Sequence, residues 1–416
     1  MSVPYWRLSG FYGLYFALIG CIMPFWGLYL QQQSFSATDI GLLLALFSAI
    51  RIIAPNLWAA IVNRYAAKVP AIQFMRLGGC LMLLSFFGFY WASELWQYAL
   101  MMLIYGFFWS AILPQYETLT LEHLKDDLSI YSSMLLWGSI GFVVMVIGLG
   151  WLFDFISILY LPVFMLAIMT LIVLNSWALK PAADNHNELA QLQSLTQPQP
   201  QSQPQPQSQL ENKTLDARVL KIGLISFLTI NVLLQITHGP YYVFFTIYLQ
   251  QFGYSNGLIG FLWALGVLAE IILFWQISFF IRRWSLRVLV IFSLLLTALR
   301  WLCTAYFADQ LSVLIFSQCL HAFSFALLHV VSMRYIGVFF PGKKRLTGQA
   351  LYSGLGFGLG GAIGAGVAGL LWPSDKVEPA MYLNDSALVF SIAALVALIA
   401  ALIAVFGLPR QQSKSV

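Results

Sequence analysis

Apolar residues run in long blocks, twelve of them, along this 416-residue chain. The blocks cover about 8–30, 39–62, 70–92, 96–121, 130–153, 156–178, 219–249, 257–281, 287–307, 311–338, 347–372 and 385–408. A run of roughly 20 mostly apolar residues, rising 1.5 Å per residue as a helix, crosses the ~30 Å hydrocarbon core of a bilayer. Each block is therefore predicted to be a spanning helix. The intervals carry turn chemistry, as at Gly253 to Asn256, Ala308-Asp309 and Pro341-Gly342. Composition removes the soluble alternative. The chain is 60% hydrophobic and 9% charged, against about 25% charged in a soluble domain, so it has too few polar groups to cover a surface facing water. The expected fold class is an all-α polytopic membrane protein with twelve spans.

The pattern breaks in the middle. Residues 180–217 are polar and include TQPQPQSQPQPQSQ at 196–209, a composition that favours solvated polyproline II and cannot build a core. It divides the chain into an N-terminal six-helix bundle (1–179), a Gln/Pro-rich linker (180–217) and a C-terminal six-helix bundle (218–416). The halves repeat. LYLQQQSFSATDIGLLLALFSAIRII at 28–53 aligns without a gap on IYLQQFGYSNGLIGFLWALGVLAEII at 247–272, a shift of 219, with 12 identities in 26 positions. An even number of spans separates the segments, so the repeat is parallel, related by an axis along the membrane normal.

Charge sets the orientation. Of 21 Lys and Arg, 17 fall on one side of the expected membrane, among them Arg7, Arg64, Arg76, Arg282, Arg283 and Lys343, while the opposite side has only Lys376. The positive-inside rule puts both termini and the linker in the cytoplasm. The formal charge of +5 reflects this topology and calls for no nucleic-acid partner. Leu18-Ile19-Gly20-Cys21 imitates a lipoprotein cleavage box, but the apolar run continues through Phe25 and Trp26, so the segment reads as an uncleaved first helix. Cys21, Cys80, Cys303 and Cys319 all lie inside spans without metal-ligand spacing.

Candidate chemistry sits where polar residues interrupt the apolar blocks. In LWALGVLAEIILFW (262–275) the exception to an apolar or Gly run is Glu270. Under the repeat, Glu270 falls opposite Arg51, a buried anion matched to a buried cation. A charge at the bilayer centre costs at least about 2.5–3.5 kcal/mol on insertion scales, so both side chains are expected to face one shared, water-accessible cavity. Arg300, about 13 residues into its span, and His321, near the middle of the next, join them. So do His329, Glu117 after Pro114, and His238 before Gly239-Pro240, where a kink is expected. Each has a plainer reading. Glu270 and Arg300 fit a structural ion pair, Arg51 a snorkelling side chain, Glu117 a group that reaches cytoplasmic water, and the histidines partners of backbone carbonyls. Arg334 and Glu122, near cytoplasmic ends, fit snorkelling. Tyr241, Tyr242 and Trp263 fit packing as well as substrate contact. GAGVAG at 364–369 matches a dinucleotide fingerprint in letters alone. It lacks the preceding strand and reads as a close helix-packing surface. There is no P-loop, H-E-x-x-H or G-x-S-x-G elbow, which argues against an enzyme or a nucleotide-driven pump.

THGPYYVFFTIYLQQFGYS, LWALGVLAEIILF, the RW of ALRWLC, LHAFSFALLHVVSMRYI and QALYS resemble the C-terminal half of the phenylpropionate permease family. PFWGLYL, IGLLLALFSAIRI and LWGSIGF resemble its N-terminal half. That family belongs to the major facilitator superfamily and is distantly related to lactose permease and nucleoside–proton symporters. The resemblance implies the major facilitator fold of two pseudo-symmetric bundles and proton-coupled uptake of a small organic solute across a bacterial inner membrane, with 3-phenylpropionate as nominal substrate. It places Glu270, Arg300, His321, His329 and Arg51 on the family's motif positions, and Glu117 where an acidic residue is usual. Leu135 departs from it, standing where a basic residue often precedes LWGS.

The expected mechanism is alternating access. Glu270, Arg300, His321 and Glu117 serve proton coupling, Glu270 carrying the proton with Arg300 as counter-ion. Arg51, His238, Tyr241, Tyr242, Trp263 and His329 contact substrate, Arg51 holding a carboxylate. The partners are the solute, protons and the bilayer. No metal, cofactor or obligate protein partner is expected, the proton gradient being the energy source. A sugar or nucleoside symporter on the same fold is the alternative reading, and a non-transporting sensor or scaffold a more distant one.

Overall fold

The computed structural model describes residues 4–65, 68–124, 128–179, 217–373 and 379–409. Residues 180–216 of the expected linker lie outside them, as do Lys125, Lys180, Lys213, Lys376, Arg410 and Lys414 among the cations used for orientation. Among the described residues twelve helices are long and apolar enough to cross a membrane: α1 (Tyr5–Gln32), α2 (Ala37–Tyr65), α3 (Ala71–Tyr90), α4 (Leu95–Leu124), α5 (Ile130–Leu152), α6 (Ile158–Ala178), α7 (Arg218–Gln251), α8 (Asn256–Arg283), α9 (Leu286–Tyr306), α10 (Leu311–Phe339), α11 (Arg345–Leu371) and α12 (Leu383–Gly407). Helix is the outcome that hydrocarbon dictates, because each backbone N–H and C=O must find its partner within the segment. Among the described residues there is no strand. Pro24, Pro55, Pro114 and Pro240 all lie inside helices.

The repeat is visible in the backbone. Ser34 and Gly253, 219 residues apart, both adopt positive φ, 68° and 78°. Both close the same turn after a YLQQ helix end. Ser34 N–H donates to Gln31 O and Gly253 N–H to Gln250 O, each at 2.9 Å. Phe35 and Tyr254 reach back to Leu30 and Leu249 in the same way. Equivalent helices are also braced alike. Arg76 on α3 donates to Leu179 O at 2.8 Å and Arg7 to Ala178 O at 2.8 Å, satisfying carbonyls that α6 leaves open at its end. In the second half Arg287 on α9 donates to Val405 O near the end of α12.

Within each half, α1 packs on α5 and α6, and α7 packs on α11 and α12. The halves meet through α2 against α11, α5 against α8 and α1 against α7. These seams are tightest at the end remote from the termini, where glycines let backbones touch. A Cβ on Gly41 would lie 2.5 Å from Gly369 Cα, and one on Gly260 2.2 Å from Val146 O. Gly364 and Gly369 of the GAGVAG segment pack on α7 and α2 respectively, so this segment is a helix-packing surface. Two stretches depart from α geometry. Phe323–Leu327 in α10 and Ser353–Gly360 in α11 are π-helical, a form that occurs mostly in short pieces and often beside functional sites.

Candidate functional site

A cavity of about 290 Å³ lies between the halves. Its described walls come from α1, α2, α4, α5, α7, α8, α10 and α11, with none from α3, α6, α9 or α12. Most of the wall is apolar. Two charged side chains break it, Arg51 from one half and Glu270 from the other.

On the first wall the Arg51 guanidinium lies 5.6 Å from the Trp109 ring centre and 5.9 Å from that of Phe357. No hydrogen bond or ion pair joins it to another described residue. Cation–π contacts of this kind contribute about 0.5–2 kcal/mol and leave all five N–H donors available. Phe357 sits on the π-helical stretch of α11, so the aromatic pair around Arg51 draws one ring from each half.

The second wall carries a linear array. Arg300 Nη1 lies 2.8 Å from His321 Nδ1, and His321 Nε2 lies 2.9 Å from Glu270 Oε1. Arginine can only donate, so His321 Nδ1 accepts and the ring proton sits on Nε2, where it donates to Glu270. The array fixes both tautomer and charge. A second proton on His321 would point at a guanidinium N–H, so the titratable position facing the cavity is the Glu270 carboxyl. The sequence reading has Arg300 as the counter-ion of Glu270. In the structure the His321 ring stands between the two, because Arg300 sits on α9, behind the wall.

Arg300 is fully buried and densely held. Its Nη2 donates to Gln318 Oε1 at 3.3 Å, and that oxygen also accepts from Tyr241 OH at 3.1 Å. Its Nη1 is also 3.5 Å from Ser324 Oγ. The guanidinium carbon lies 4.3 Å from the ring centres of both Tyr241 and Trp301. Gln318, His321 and Ser324 recur every third residue and so present one face of α10 to Arg300. Gln318 does not stand out in the sequence reading, although a lone Gln in LIFSQCLHAF carries the same signal as His321.

The other candidates are spread differently. Tyr241, Tyr242 and Trp263 line the cavity; Tyr241 and Trp263 pack with ring centres 4.3 Å apart, and Trp263 Nε1 donates to Thr246 Oγ1 at 3.1 Å. His238 does not line it. Its ring is fully buried behind Tyr242 and Trp301, with Nδ1 2.9 Å from Leu234 O. His329 is also off the wall, 3.0 Å from Tyr352 OH. Glu117 is placed apart from both walls, beside Tyr131 in the first half. Among the described residues no cluster of His, Cys, Asp or Glu has the grouping of a metal site.

The profile of the MFS_1 like family matches residues 5–384. The chain belongs to this family. A probable 3-phenylpropionic acid transporter of Escherichia coli (strain K12) is 30% identical over 370 residues, covering 88% of this chain and 90% of the relative. A maltose permease of Geobacillus stearothermophilus is 25% identical over 356 residues, covering 84% and 83%. Among solved structures, the nucleoside transporter NupG superposes with a TM-score of 0.77 at 17% identity, over 97% of this chain and 98% of that one. A D-xylose–proton symporter superposes at 0.69 with 13% identity, over 98% of each chain. These two establish the fold alone. The MFS_1-like chain is thus a multi-pass membrane transporter of a small solute, with two six-helix bundles around a central cavity, and not an enzyme.

Proposed function

We propose that this transporter takes up a small aromatic carboxylate together with protons, by alternating access. The observation that carries the reading is the pair of unlike walls. Glu270 has its charge answered by His321 and Arg300, whereas Arg51 faces the cavity with no anion beside it among the described residues. A guanidinium in an apolar, partly enclosed site favours a ligand that supplies a carboxylate, which it can hold bidentately. Trp109, Phe357, Tyr242 and Trp263 give the rest of such a solute flat apolar surface. A volume near the lower bound of about 300–1,000 Å³ for small-molecule sites suits a monocarboxylate with one ring. The name of the 30%-identical Escherichia coli relative points the same way.

Glu270 is the proton carrier in this reading. It lies on the cavity wall opposite Arg51, it keeps its hydrogen bond from His321 Nε2 in either protonation state, and Arg300 prevents His321 from taking the proton instead. In this reading the protein sits in a bacterial inner membrane with both termini in the cytoplasm, the side that the excess of Lys and Arg favours, and the cavity, closed at the remote end, serves the cytoplasmic side. No cofactor or protein partner enters the cycle.

The second reading is a sugar or nucleoside symporter on the same fold, with the maltose permease relative in its favour. Competition separates them. In proteoliposomes with an imposed pH gradient, 3-phenylpropionate will accumulate and be displaced by other aromatic carboxylates. The corresponding primary amides, maltose and uridine will not displace it. Arg51→Gln will weaken binding of the carboxylate by about 10–150-fold, the range for losing a hydrogen-bonded charge contact of ~1.5–3 kcal/mol. Displacement by amides as strong as by acids would discard the carboxylate and leave the neutral solutes.

A further inference from the structure

We propose that Asp154 is a latch that holds the two halves closed at the end remote from the termini, by capping a helix that belongs to the other half. This rests on the two-bundle arrangement and not on the identity of the solute. Asp154 follows α5, and its carboxylate reaches the first residues of α8. Oδ1 accepts from Asn256 N–H at 2.7 Å and Oδ2 from Gly257 N–H at 3.0 Å. The Asn256 side chain returns a bond, Nδ2 donating to Phe153 O at 3.1 Å. A Cβ on Gly257 would stand 2.9 Å from Asp154 Oδ2, so the glycine makes room for the carboxylate over the amides. Backbones also touch here, a Cβ on Gly150 falling 2.5 Å from Asn256 O.

The repeat makes this a departure and not a routine cap. In the first half the equivalent helix start caps itself. Ser36 N–H and Oγ–H donate to Asp39 Oδ2 at 3.1 and 2.6 Å, and Asp39 N–H donates to Ser36 Oγ at 3.2 Å, a reciprocal box within α2. The shift of 219 carries Asp39 onto Leu258. The second half keeps the serine, Ser255 Oγ accepting from Leu258 N–H at 3.3 Å, and lacks the acid. Asp154 of the opposite half supplies it. The first four N–H groups of a helix have no partner inside the helix, and its N-terminus favours an anion. The start of α8 is therefore fully satisfied only while the halves are together. When they part at this end the bonds to Asn256 and Gly257 break, whereas the cap on α2 travels with its own half. The device biases the two-state equilibrium toward the sealed state and is released as one unit.

The test reads opening at a different seam of the same end. Ile40, 1% exposed, is packed between α1 and α7 at the sealed end. In purified protein carrying Ile40→Cys, the maleimide labelling rate is measured above that of the chain without this substitution. Asp154→Ala is expected to raise the rate by roughly fivefold, the size of a lost helix cap. A double variant, Asp154→Ala with Leu258→Asp, gives α8 a cap of its own that copies the role of Asp39, without the tie to α5. Labelling in the double variant is expected to stay fast. An unchanged rate in Asp154→Ala overturns the latch. So does a return to the slow rate in the double variant, which would make Asp154 a stabiliser of α8 and nothing more.

Discussion

Glu270→Gln will abolish accumulation of substrate driven by a pH gradient while leaving exchange of substrate across the membrane close to the native rate. The substitution is nearly isosteric, and Gln Oε1 still accepts from His321 Nε2, so the array back to Arg300 keeps its geometry. What is lost is a group on the cavity wall that can gain and release a proton. One pH unit is worth about 1.4 kcal/mol per proton, which for one proton per solute supports about tenfold accumulation. The variant should level near the external concentration. Labelled 3-phenylpropionate in proteoliposomes, with and without a gradient, reads both quantities. Full accumulation by the variant would remove Glu270 from proton coupling. Loss of exchange together with accumulation would mean that the residue serves binding or folding instead.

Arg300→Met will be the most damaging of the site substitutions for the folded state. Arg300 is completely buried, its donors answer His321 Nδ1 and Gln318 Oε1, and its plane lies against Tyr241 and Trp301. Methionine fills much of the volume and answers none of the acceptors. Removing one partner of a buried charge network costs about 3–5 kcal/mol, here by leaving Glu270 without a cation behind its histidine. Arg300→Lys keeps a charge but not the fork that meets two acceptors at once, so an intermediate loss is expected. Thermal unfolding in detergent, read by intrinsic fluorescence, orders the three proteins. A midpoint for Arg300→Met equal to the native one would show that the array contributes nothing to stability. The double variant Arg300→Met with Glu270→Gln should recover part of the loss, since the stranded anion goes with its cation.

The twelve helices are legible because each hydrophobic block carries its own membrane-crossing length, and no knowledge of neighbours is needed to see it. Placing Arg51 and Glu270 on one cavity is legible because the repeat transfers position from one half to the other. The relation between Glu270 and Arg300 is not. They lie on different helices with His321 on a third, and a spacing of 30 residues holds no information about which ring stands between them. The separation of Glu117 from the cavity is hidden for the same reason, because depth in the membrane can be counted along a helix but facing direction cannot when apolar residues surround it on every side. SGLGFGLG gives no sign of π geometry; glycine runs read as packing surfaces, which GAGVAG is. Asp154 looks like an ordinary loop acid in WLFDFIS. Its meaning appears only when the start of α8 is beside it and Leu258 is compared with Asp39.

The opposite signs of Arg51 and Glu270 have an electrical consequence. When one carboxylate anion binds at the first and one proton at the second, the load that crosses the membrane carries no net charge. Such a cycle draws on the difference in pH and is indifferent to voltage, so turnover generates no current and a potassium diffusion potential neither speeds nor slows net uptake. A neutral solute carried with the same proton would move one elementary charge per cycle, worth about 2.3 kcal/mol per 100 mV, and would couple the same fold to the other component of the proton-motive force.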